Sequence, residues 1–221
     1  MLTACWSAKG GSGTTIVAVS IAFLVARAAP EGSLLVDLAG DVAPLLGCTG
    51  DEPGVTEWLA ASEDVGEEAL SALEIDVERK VRLLPFGRDP ISLAMSNSER
   101  LEVLARLLAS DGRPVVVDVG SSLDAVALAA PLLRSATSSL LVMRPCYLAV
   151  RRALVCGARP TGVVLIDEPG RALRVSDIES VLGVSVSARL ELDPAVARAA
   201  DAGLLAHRLP RTLERGLRHA A

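Results

Sequence analysis

Ser7–Val17, SAKGGSGTTIV, brings together three glycines, a lysine and a pair of threonines. Glycines at 10, 11 and 13 free the backbone to turn successive N–H groups toward one point. A helix opening at about Thr14 adds the partial positive charge of its N-terminus, and such an arrangement holds an anion such as phosphate. Thr15 stands where the phosphate-binding pattern Gly-x-x-x-x-Gly-Lys-[Ser/Thr] places a hydroxyl on Mg2+. That pattern has a lysine after its last glycine, and here the position is Thr14.

Only two of the 22 basic residues are lysines, Lys9 and Lys80, and Lys9 lies inside the loop. Arginine is a planar fork, whereas lysine is a compact point charge on a flexible stem that can reach a single phosphate oxygen. In a chain that otherwise uses arginine for its cations, Lys9 reads as chemically required. Asp37 and Asp118 each close an apolar run. In an open parallel sheet ligands sit outside the carboxyl ends of the strands, so both carboxylates are candidates for Mg2+ or its waters; the alternative is a helix-capping role.

These residues need a scaffold of strands feeding helices. Leu2–Ala8, Ser33–Ala39, Val81–Gly87, Arg113–Ser121, Ser138–Pro145, Thr161–Asp167 and Gly183–Leu190 read as strands, and Thr14–Ala29 and Ser98–Ser110 as helices. The alternation predicts one α/β domain over 1–221, with a mostly parallel central sheet of about seven strands between layers of helices. Residues 48–76, acidic and punctuated by Gly and Pro, read as a surface excursion of one or two short helices.

Hydrophobic residues make up 51% of the 221 and aromatic ones 2%, so the core must be aliphatic. A net charge of −5 gives no global reason to bind nucleic acid, and DNA is not an expected partner. Cys5, Cys48, Cys146 and Cys156 show no Cys-x-x-Cys spacing and read as small buried hydrophobes. With no leader-like pattern and no apolar run of about 18 residues, a cytoplasmic protein is expected. The one local basic patch is the C-terminus, LLAHRLPRTLERGLRHAA, where Leu209, Leu213 and Leu217 recur among Arg208, Arg211, Arg215 and Arg218. That segment reads as a helix docked on the domain with a solvated basic face, or as an interfacial helix giving peripheral contact with anionic lipid, or as a DNA contact.

The stretch AKGGSGTT resembles the deviant phosphate-binding loop of the MinD/ParA family of ATPases, Lys-Gly-Gly-x-Gly-Lys-[Thr/Ser]. LLVDLAGDVAPLLG (34–47), GVTEWL (54–59), VVVDVGSSLD (115–124), LLVMRPCYLAVRRA (140–153) and the segment 177–203 extend the resemblance in order over most of the chain. They are most similar to the TadZ/CpaE branch, which positions the Tad (Flp) pilus machinery; relatives are also labelled septum-site-determining proteins. That branch usually carries an N-terminal receiver-like domain, for which this chain has no room.

The resemblance implies a P-loop NTPase sandwich that binds ATP or ADP with Mg2+ through Lys9, Gly10, Gly11, Ser12, Gly13, Thr14 and Thr15, with metal contacts from Thr15, Asp37 and Asp118. It implies a homodimer in which Lys9 reaches the phosphates of the partner subunit, and a positioning role beside pilus or septum proteins at a pole or membrane face. Lys9, Asp37 and Asp118 would be the catalytic candidates. Adenine recognition falls by resemblance on Asp167, which otherwise reads as a turn cap. The chain departs from the family at Thr14, which replaces the second lysine, and at Ala39, which replaces the second aspartate of an Asp-x-Asp strand end. Phosphoryl transfer depends on charge stabilisation and water positioning, so hydrolysis is expected to be slow or absent. The other readings are an active ParA-like ATPase in partitioning, with Asp41 substituting for Ala39, and a pseudo-ATPase that binds no nucleotide.

Overall fold

Strands that carry helices on both faces run apolar without alternation, and the central ones here are buried end to end. In the computed structural model, which describes residues 1–62, 65–88, 98–218 and 220, the strands are β1 (Leu2–Trp6), β2 (Ser33–Asp37), β3 (Ile75–Asp76), β4 (Val81–Leu84), β5 (Val115–Gly120), β6 (Ser138–Met143), β7 (Gly162–Asp167) and β8 (Val186–Glu191). They form one sheet in the order β3-β4-β2-β5-β1-β6-β7-β8. Every pairing is parallel except β3 on β4. The sequence predicts about seven strands; the eighth is β3, a two-residue antiparallel edge too short to carry a periodic signal.

The helices are α1 (Thr14–Ala28), α2 (Val42–Leu45), α3 (Val55–Ala60), α4 (Glu67–Ser71), α5 (Ser98–Ser110), α6 (Leu123–Leu128), α7 (Ala130–Ser135), α8 (Tyr147–Val155), α9 (Val175–Leu182), α10 (Pro194–Asp201) and α11 (Arg211–Gly216). One face of the sheet is covered by α1, α2 and α11, packed through Val17, Ile21, Phe23, Val42 and Leu213. The other is covered by α3 to α9, through Trp58, Leu104, Leu132 and Ile178. Helix α1 ends because Ala29, next to Pro30, is extended (φ −90°, ψ 129°). Helix α5 buries Leu101, Leu104, Ala105 and Leu108, a helical stripe that packs toward α7.

Two expectations change. Segment 48–76 is not merely a surface excursion, because α3 puts Val55, Trp58 and Leu59 into the core at 1–2% exposure. Trp58 Nε1 donates to the Gly66 carbonyl, and the Arg100 guanidinium lies 3.6 Å over its ring. Of the cysteines, Cys5 alone is fully buried, and all four are free thiols.

The chain leaves β5 on one side of β1 and enters β6 on the other. The helices that follow therefore diverge and open a crevice at the carboxyl ends of these strands, where ligands bind in folds of this kind.

Candidate functional site

The glycine loop occupies that crevice, between the end of β1 and the start of α1. Ser7 N–H donates to the Gly120 carbonyl at 2.9 Å, tying the loop to β5. The Ser7 hydroxyl donates to the Lys9 carbonyl at 3.0 Å, and Ser12 Oγ donates to the same oxygen at 2.7 Å. Gly11 (φ 72°) and Gly13 (φ 82°) are left-handed, a conformation side chains resist. A Cβ on either would meet nothing within 4 Å, so both face open space in front of the helix.

Two buried oxygens there lack a partner among the described residues. Thr14 is 4% exposed and its Oγ1 has no hydrogen bond. Asp118 is fully buried two residues before the end of β5; its Oδ1 accepts from Gly120 N–H at 3.1 Å, while its Oδ2 is unpartnered. Burial pushes the Asp118 carboxyl up to about 7; the Thr15 hydroxyl and Gly120 N–H oppose the rise and the Asp37 charge adds to it. Buried polar atoms are normally satisfied, so orphans beside a glycine loop mark a place for a ligand.

Asp37 differs. It pairs in register with Asp118 across β2 and β5, but its Oδ1 accepts from Ala39 and Gly40 N–H at 2.9 and 2.7 Å and its Oδ2 from Val42 N–H at 3.0 Å. Burial raises its pKa against those three donors. In this arrangement its carboxylate shapes the turn into α2.

Two hollows meet at the loop. A cleft of about 800 Å3 lies on the β2 and β5 side, lined by Thr14, Thr15, Ala39, Asp41, Ser121 and Asp201, among others. A second, of about 330 Å3, is mainly apolar and includes Ile16, Ile166, Leu190, Leu192 and Val196, with Arg144 at its wall. Gly11, Ser12 and Gly13 border both, whereas Gly10 lies at the rim, where a Cβ would sit 3.7 Å from Ser121 Oγ.

Lys9 lines neither hollow, and no hydrogen bond or ion pair among the described residues holds its ammonium. Its charge bears on Cys146 before α8, whose thiol is lowered chiefly by the Ala149 N–H, with Lys9 and Arg171 contributing. Asp167 is engaged elsewhere: its Oδ2 accepts from Arg189 Nη2 at 2.6 Å, and it borders a third hollow with Glu168 and Pro169. Asp167 itself lines neither hollow at the glycine loop, although its own hollow shares Glu191 and Leu192 with the apolar one.

The C-terminal leucines are core residues: Leu209, Leu213 and Leu217 are 6%, 3% and 0% exposed. Their stripe packs toward α1 and β8, as a docked helix requires, and these leucines offer no apolar face to lipid. No helix among the described residues is long and apolar enough to cross a membrane.

No protein-family profile matches the chain, and no curated protein matches its sequence. Solved structures do match its fold. A ParA family ATPase from Chlorobium tepidum TLS superposes with a TM-score of 0.78 at 21% identity, over 98% of this chain and 95% of that one. The chain has the fold of the ParA and MinD ATPases. A septum site-determining protein MinD from Pyrococcus horikoshii OT3, complexed with Mg-ADP, matches with a TM-score of 0.72 at 17% identity over 92% of this chain and 86% of that one. Apo McdA from Cyanthece gives 0.72 at 16% identity over 99% and 98%.

On this ParA/MinD fold the sequence reading missed several lining residues, Arg144 and Asp201 among them. Arg144 directly follows β6, and the strand-end rule that found Asp118 would have found it too. Asp201 lies at the end of α10, with no motif around it to draw attention.

Proposed function

We propose that the chain is a nucleotide-binding, dimerising protein of the MinD/ParA type that acts as a positioning or scaffold element with weak or no ATP hydrolysis. The observation that carries this is the pair of orphaned buried oxygens, Thr14 Oγ1 and Asp118 Oδ2, beside a glycine loop that opens a long buried helix.

The residues fit the groups the reading requires. Backbone N–H groups of 10–15 would hold phosphate oxygens, and Thr15 and Asp118 would hold Mg2+ or its waters. Mg2+ commonly takes one or two protein ligands and completes its shell with phosphate and water. That suits a site where no cluster of three His, Cys, Asp or Glu capable of holding a metal exists among the described residues. The bound metal would neutralise phosphate charge. The apolar hollow by Ile166 and Leu190 would take the base.

Weak hydrolysis follows from what lines the cleft. Ala39 presents a methyl where the family's second aspartate would orient water, and Thr14 offers no charge. Lys9 lines neither hollow, which supports a role toward another copy of the chain. Placement in the Tad (Flp) pilus or septum apparatus, at the cytoplasmic pole or membrane face, follows from the sequence resemblance.

Calorimetric titration with Mg2+ and a slowly hydrolysed ATP analogue, with light scattering for mass, tests the proposal. Binding with doubled mass in the wild type, lost in Lys9→Ala, is expected. Absence of binding by the wild type would make the chain an interaction module without nucleotide.

A further inference from the structure

The cleft bordered by Thr14, Thr15, Val119 and Gly120 is lined by two carboxylates, Asp41 and Asp201, and by no lysine or arginine. Residues 63–64, 89–97, 219 and 221, outside the described segments, contain neither cation. The one basic residue lining either hollow is Arg144, on the opposite side of the loop beside Ile166 and Leu190, with its Nη1 4.0 Å from Glu168.

The two hollows fix the direction of a nucleotide. An apolar chamber suits the base, and the hydroxyls of Thr14 and Thr15 suit the phosphate tail. A tail lying that way would point toward the wall that carries Asp41 and Asp201. Phosphates close to the glycines meet backbone donors and the helix N-terminus. A terminal phosphate reaching further meets a neutral threonine and two acids.

We propose that a single chain is built to hold a nucleoside diphosphate in preference to the triphosphate. The inference rests on the nucleotide reading above and adds the class of nucleotide selected. Mg2+ accompanies both ligands, so the additional phosphate leaves the triphosphate complex more negative. Like charges in a partly enclosed cleft, where the effective dielectric is well below that of water, disfavour the more negative ligand. Because Asp41 and Asp201 are both exposed, salt weakens the discrimination without removing their charge.

The test is calorimetry on the full chain, dilute enough that light scattering reports monomer, with Mg2+ and either ADP or the imido analogue AMPPNP. The expected result is ADP binding roughly tenfold tighter at low salt. In Asp41→Asn/Asp201→Asn the ratio should fall to about threefold or less, and Thr14→Lys should shift the preference toward AMPPNP. Equal or tighter AMPPNP binding by the wild type would overturn the inference and leave the nucleotide reading standing. An unchanged ratio in the double variant would overturn its electrostatic cause. Failure of the wild type to bind either ligand would overturn both.

Discussion

Asp37 and Asp118 stand opposite one another in register on adjacent parallel strands, yet only Asp118 keeps a free oxygen. Asp37 is saturated by the N–H groups of Ala39, Gly40 and Val42. The two carboxylates therefore do different work, one holding a turn and the other facing the glycine loop.

Replacing Asp37 with alanine strands three backbone donors in a dry site. Each buried unsatisfied group costs about 1–3 kcal/mol, and partial rehydration of the turn should bring the total to about 3 kcal/mol. Urea unfolding of Asp37→Ala is expected to show that loss, and a change under about 1 kcal/mol would mean that Asp37 is not the organiser of the turn.

Asp118 gives a pH signature of the opposite kind. Its carboxyl titrates near 7 in the fold, above the value of 3.8 for a free aspartate, so the folded chain holds the proton more tightly than the unfolded one. Stability from this group is full below pH 4 and declines as pH rises toward 7. Without nucleotide or Mg2+, Asp118→Asn should gain stability relative to wild type between pH 5 and pH 8, where the variant has no charge to bury. Urea midpoints for the two proteins that differ by the same amount at both pH values would rule this out.

At the far end of the sheet, Glu74 accepts from Arg82 Nε at 2.8 Å and from Arg113 Nη1 and Nη2 at 2.9 and 2.8 Å. The glutamate side chain is 6% exposed and its partners 37% and 20%. Glu74→Ala is expected to cost about 1–3 kcal/mol, below the range for a fully buried pair. Because these groups lie at the amino ends of the strands, nucleotide titrations of the variant should match wild type.

The buried leucine stripe of α11 predicts two outcomes from one substitution. Leu213→Ala should destabilise the fold by about 2–4 kcal/mol, as for other core truncations. Wild type should stay in the supernatant when spun with anionic phospholipid vesicles, and sedimentation of the folded protein with those vesicles would restore the interfacial reading.

Much of this was legible in the residues because β1, β2 and β5 are covered on both faces and so read as unbroken apolar runs. The glycine loop was legible because its chemistry is local: three glycines, Thr15 and a strand before them. Other features depend on partners distant in the chain. Nothing near Asp37 separates it from Asp118, since the difference lies in where the next turn points its N–H groups. Asp167 ends a strand as they do, but Arg189 on β8 captures it. Trp58 sits in acidic surroundings that conceal its burial, and α10 lines the site largely through small side chains that carry no motif.

Helix α10 contributes Val196 and Ala197 to the apolar hollow and Ala200 and Asp201 to the phosphate-side cleft, and none of its residues is buried. A wall shared by two chambers is also a lever between them wherever filling one would tilt the boundary of the other. Because Val196, Ala199 and Ala200 rest on the core only partly buried, a small tilt of α10 would ask for little repacking beneath it. The occupant of the site can thus be announced on the outer surface while the interior stays still.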